Sequence, residues 1–117
     1  MSLEKYKKTY NWQYSNKSNA LIEKIVKNFA IGRNVTLKNL TIVNGNATFT
    51  TYSNISYEEL VNQLIAERYT IQDELSIQRK YQRGANTLEF DEYYNFVEQC
   101  KTKAKQFIEE REKVVGA

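Results

Sequence analysis

Val35-Thr-Leu-Lys-Asn-Leu-Thr-Ile-Val43-Asn44-Gly45-Asn46-Ala-Thr-Phe-Thr-Thr-Tyr52 reads as two strands joined by a two-residue turn. Asn-Gly tolerates the positive φ angles of a type I′ turn, whose twist matches that of the flanking strands. With Val43 opposite Asn46, an unbroken register puts Leu40, Ile42, Ala47 and Phe49 on one face, the expected core face. Leu37, Thr41, Thr48, Thr50 and Tyr52 then fall on the other.

Helical signals flank this hairpin. Leu21, Ile22, Ile25, Val26 and Phe29 recur at helical spacing within Ala20 to Ile31, and Gly32 stands where a left-handed cap would end the helix. Upstream, Tyr10, Trp12 and Tyr14 alternate as in a short strand with one aromatic face, although the sequence does not say whether that segment joins the sheet. Downstream, Ser56-Tyr-Glu-Glu59 is a capping box, with Ile55 and Leu60 placed as a hydrophobic staple, so a helix starts at Tyr57. Thr70 can cap a second segment from Ile71, with Asp73 in its first turn and Gly84 at its end, so either a kink or a tight break lies near Tyr69. Asn86 is the expected cap of a final helix that carries Phe90, Tyr94, Val97, Cys100, Ala104, Phe107 and Ile108 inward. Two helices joined by a short loop should pack antiparallel. The expected fold is α+β: a small antiparallel sheet built on the Asn-Gly hairpin, an N-terminal helix and long antiparallel C-terminal helices, all in one domain spanning 1–117.

Composition narrows the chemistry. The 17 basic and 14 acidic residues leave a net charge of +3 with no long block of either sign, too mild a bias to indicate duplex DNA binding. The single cysteine, Cys100, excludes an internal disulfide; without histidine the available metal ligands are one thiol and scattered carboxylates that no loop groups, and no obvious nucleophile–base pair is present. No cofactor is therefore expected, and the chain reads as a binder and not an enzyme. No run approaches the roughly 20 apolar residues of a membrane helix, and Met1 to Lys8 lacks a signal-peptide core, so a cytoplasmic location is expected. On that reading the five formal glycosylation triplets, such as Asn34-Val-Thr36, follow from an Asn-rich composition. The apolar positions of the last helices (Phe90, Tyr93, Tyr94, Phe96, Val97, Phe107, Ile108) exceed what a small sheet covers, which points to a homodimer or larger symmetric assembly.

Arg79 and Arg83, four residues apart, lie on one helical face. They admit two readings: ion pairing with carboxylates such as Glu89 on a solvated face, or a clamp whose two guanidinium forks hold phosphate. Tyr52, at the end of the hairpin, offers a ring for stacking on a purine, and Asn62, on the polar side of its helix, offers an amide for a base edge or a ribose hydroxyl.

The patterns Glu-Arg-Tyr-(x)3-Asp-Glu-Leu-x-Ile-x-Arg at 67–79 and Glu-Phe-x-Glu-Tyr-(x)4-Glu-x-Cys-Lys at 89–101 resemble the helical half of small proteins common in phages of Firmicutes and other gut bacteria. A hairpin region followed by two long helices is also similar to the phage anti-Thoeris sponge proteins, which bind cyclic ADP-ribose-type signals and starve the immune effector. That resemblance implies an aromatic stacked on adenine, a nearby asparagine and two arginines on the phosphates. Tyr52, Asn62, Arg79 and Arg83 are the positions available for those roles, with Arg111 and Lys113 as alternative phosphate partners. The competing class is a phage tail, baseplate or assembly protein that binds a partner through its helices.

Overall fold

The computed structural model describes residues 3–85 and 87–113. In chain order the elements are β1 (Lys7–Gln13), α1 (Asn19–Gly32), β2 (Val35–Val43), β3 (Asn46–Ser53), α2 (Tyr57–Ala66), α3 (Ile71–Gln82) and α4 (Thr87–Glu112). The protein is α+β, and its chain divides into two compact units. One holds the sheet, α1 and the segment from Arg111 onward; the other spans Ser56–Glu110.

In the sheet unit β3 is central, with β1 and β2 antiparallel on its two sides in the order β1-β3-β2. The aromatic N-terminal segment thus supplies the third strand, pairing Tyr10 with Phe49 and Trp12 with Ala47. The hairpin turn is as the sequence requires: Val43 pairs with Asn46, and Asn44 and Gly45 have φ of 50° and 77°. The Gly45 carbonyl accepts from the Tyr14 N–H at 2.8 Å, tying the end of β1 to the turn.

The unbroken register does not hold along all of β2. Pairing steps from Thr41↔Thr48 to Lys38↔Thr50, so β2 spends one extra residue at a bulge where Asn39 has φ 58°. Every residue before the bulge changes face. Leu37, expected opposite the core, pairs with Thr51 and packs against the cluster of Ile22, Val26, Ala47 and Phe49. Tyr10, Trp12 and Phe29 complete that core: Tyr10 stacks on Phe49 at 5.1 Å, while Trp12 and Phe29 meet edge to face at 4.7 Å.

Helix α1 starts on Ser18, whose Oγ accepts from the Leu21 N–H at 3.2 Å. Its end differs from expectation. Gly32 remains inside the helix, Arg33 is the αR C-cap, and Asn34 takes the left-handed conformation at φ 54°. Asparagine visits that region more readily than most residues, and here the Asn34 backbone carbonyl accepts from Asn54 Nδ2, twenty positions on, at 3.1 Å.

In the helical unit Ser56 Oγ caps α2 by accepting from the Glu59 N–H at 3.2 Å. Helix α3 opens with a complete capping box: Asp73 N–H donates to Thr70 Oγ1 at 3.0 Å and Thr70 N–H to Asp73 Oδ2 at 2.9 Å. The Thr70 backbone N–H, and after it the Thr70 hydroxyl, hold the Asp73 carboxyl below the usual aspartate range. Helix α3 ends on Gly84 at φ 75°, with Gly84 N–H bonded to Tyr81 O and Ala85 N–H to Lys80 O, a Schellman pair. Its contacts with α4 run antiparallel, from the Tyr81–Phe90 ring stack at 3.9 Å back to Tyr93 Oη, which donates to Glu74 Oε1 at 2.6 Å. The expected Asn86 cap lies outside the described residues.

Candidate functional site

Helix α2 ends near Ala66 and α3 begins at Ile71, because the chain must leave helical geometry to present Thr70 as a cap. That break opens a cavity of about 490 Å³, lined by Asn62, Gln63, Ile65 and Ala66 of α2 together with Tyr69, Thr70, Ile71 and Glu74. Its size lies within the range of about 300–1,000 Å³ common to small-molecule sites. Tyr69 is half-buried, fixed edge-on to Tyr93 at 5.2 Å and flanked by the Arg68 guanidinium 5.3 Å from its centroid. Glu74 is held by the Tyr93 hydroxyl. Burial, followed by that bond, pushes Tyr93 up to about 12, so it remains a donor. The cavity therefore combines an aromatic ring, an amide from Asn62 and a carboxylate acceptor from Glu74. Such a set suits the neutral, donor-and-acceptor edge of a base and disfavours phosphate.

The arginine pair stands outside this cavity. Arg79 and Arg83 are exposed, one turn apart, with Arg83 N–H bonded to Arg79 O at 3.2 Å. Neither guanidinium has an ion-pair partner among the described residues, and Glu89, the expected carboxylate, lies 3.7 Å from Lys80. Ile71, Leu75, Arg79 and Arg83 follow at four-residue intervals along α3, and Ile71 and Leu75 are 76% and 46% exposed. An exposed apolar strip therefore leads from the cavity rim to two unpaired cations.

The other sequence candidates fare differently. Tyr52 sits in β3 of the sheet unit, 4% exposed, with Lys7 Nζ 5.3 Å from its ring centroid, so its faces are not open to a ligand in this structure. Arg111 is committed to backbone: its Nη1 donates to Ser53 O at 2.9 Å and Ile55 O at 2.7 Å, and its Nε to Glu112. The Lys113 carbonyl accepts from Lys38 Nζ at 2.6 Å. Of the seven apolar residues expected to need a partner surface, Tyr93, Phe96 and Phe107 are already buried and only Tyr94 is largely exposed. Cys100 is buried, and burial pushes its thiol up, away from nucleophilic use.

Sequence reasoning passed over Tyr69 and Glu74. The available signal was positional: both flank the break that Thr70 enforces, and a break between two amphipathic helices leaves side chains on either side of a notch. Among the described residues no helix is long and apolar enough to cross a membrane, and no group of three metal-ligating side chains occurs. No family model, curated protein or solved structure matches the chain.

Proposed function

We propose that this protein binds and sequesters an adenine-type nucleotide signal, of the cyclic ADP-ribose class, without transforming it. The observation that carries the reading is the unpaired Arg79–Arg83 couple on the same helix that walls a cavity large enough for a base. Eight residues separate Ile71 at the cavity from Arg79, about 12 Å of helix, a span that suits a base at one end and a diphosphate at the other. Asn62 and Glu74 then meet the base edge, Tyr69 supplies the ring that Tyr52 was expected to supply, and the arginines take the phosphates.

The open outer face of α3 agrees with a second copy of the chain closing over the ligand, with Ile71 and Leu75 as the apolar part of the contact. A bacterial host cytoplasm and a phage anti-defence role follow from the resemblance to sponge proteins and belong to the same proposal.

Calorimetry with a cyclic ADP-ribose-type nucleotide tests it. We expect saturable binding, recovery of chemically intact ligand after heating, and at least about a tenfold weakening, about 1.4 kcal/mol, in the Arg79→Ala/Arg83→Ala double variant. Asn62→Ala should weaken binding independently. No heat and no retained ligand would leave the rival reading, a phage structural or assembly protein, which is favoured by the exposure of Ile71, Leu75, Leu88 and Tyr94 on the helical unit.

A further inference from the structure

A second cleft, of about 210 Å³, opens in the sheet unit where the C-terminal end of α1 meets the β1 edge. Lys5, Lys8 and Arg33 contribute three cations to its lining, and no carboxylate lines it. Ion pairs do form elsewhere on the surface, as in Lys27–Glu23 and Lys101–Glu98, yet none of these three has an acidic partner among the described residues.

The placement is enforced by the fold. Lys8 pairs with Thr51 and stands two residues before Tyr10 on the aromatic face of β1, so the sheet carries it to the end of the core and not into it. Arg33 is the C-cap of α1, one turn beyond Phe29, and its guanidinium lies 4.9 Å from the Phe29 ring centroid, where cation–π attraction orients it. Lys5 Nζ is similarly placed 5.1 Å from the Tyr6 ring. Thr51, only 5% exposed, also lines the cleft, and its hydroxyl has no hydrogen-bond partner among the described residues. Together with the three cations, the Thr51 hydroxyl gives the cleft lining a donor set suited to tetrahedral oxygen. The α1 C-terminus opposes an anion with roughly half an elementary charge, which three full positive charges outweigh.

We propose that this cleft binds the phosphate group of a small phosphorylated molecule, independently of the α3 site. The Tyr6 and Tyr10 rings beside the cations give such a molecule an apolar flank for a sugar or ring.

The test is a ¹H–¹⁵N NMR titration of the full chain with inorganic phosphate, pyrophosphate and ribose 5-phosphate in separate arms. Saturable shifts centred on the amides of Lys8, Arg33, Val35 and Thr51 are expected, with at least tenfold weaker binding in Arg33→Gln and in Lys8→Gln and no change in Lys17→Gln. Tighter binding of ribose 5-phosphate than of the inorganic ions would identify an ester as the ligand; equal binding would identify free phosphate. Shifts that never saturate, that spread over all lysine- and arginine-bearing surfaces, or that survive both cleft substitutions would overturn the proposal. Because Arg79→Ala/Arg83→Ala leaves this cleft intact, the cleft amides of that variant should shift as in the parent, so failure of either site is read separately.

Discussion

The two units solve the burial problem in opposite ways. The sheet unit gathers its aromatic side chains inward, with Tyr10, Trp12, Phe29 and Phe49 in ring contact, and leaves cations around one end of that core. The helical unit buries a narrow stripe along α4, consisting of Tyr93, Phe96, Cys100, Ala104 and Phe107. It leaves Ile71, Leu75, Leu88 and Tyr94 exposed. A sheet face is flat, so one helix can cover it. A helix is a cylinder, and α3 presents apolar residues over more of its circumference than its neighbours reach. The first arrangement holds its aromatics in one core, although Ile31 and Val43 stay exposed; the second leaves apolar residues of α3 exposed beside a notch.

The sharpest test of the contrast is Gly45→Val. In the sheet unit the tight turn is coupled to a neighbouring strand, so the change meets two obstacles: φ at 77°, where a β-branched residue is strained, and collision of the new Cβ with the Tyr14 carbonyl oxygen. A loss on the order of 3 kcal/mol is expected, read as a lower urea midpoint. Gly84→Ala in the helical unit is the matched control, since φ is again positive but nothing lies within 4 Å of the added carbon. An equal effect at the two glycines would break the comparison.

A smaller loss, about 1 kcal/mol, is expected for Thr70→Ala, which removes the cap that separates α3 from α2. Its acid behaviour adds a check. Because Asp73 has a lowered folded pKa, the unfolded chain takes up its proton first as pH falls. The carboxylate's contribution is therefore full above the ordinary aspartate value near 3.8 and is lost as pH drops through the lower folded value. Asp73→Asn should flatten that part of the acid-denaturation curve, and an unchanged curve would mean that the box carries no stability.

Gly32→Ala should have the smallest effect and the opposite sign. Gly32 is helical, without a positive φ, and open space surrounds its missing Cβ. Alanine should stabilise by about 0.5–1 kcal/mol, seen as a raised thermal midpoint. Destabilisation would restore the sequence expectation that Gly32 is a left-handed cap.

Local chemistry determined most of the element boundaries. Asn44-Gly45, Ser56, Thr70 and Gly84 each satisfy or free specific backbone groups within a few residues of themselves, so their roles could be read without the rest of the chain. The choice between Gly32 and Asn34 as the left-handed residue was not legible, because it turned on Asn54, twenty positions away. The bulge at Asn39 was likewise hidden: alternation of apolar residues cannot reveal an added residue that the neighbouring strand must accommodate. For the candidate sites, sequence spacing determined that Arg79 and Arg83 share a face, since helical geometry depends only on residue separation. Which arginines remain without an ion pair, which tyrosine is buried and which side chains share a notch were decided by packing, because distance in space and exclusion of water are properties of the folded chain alone.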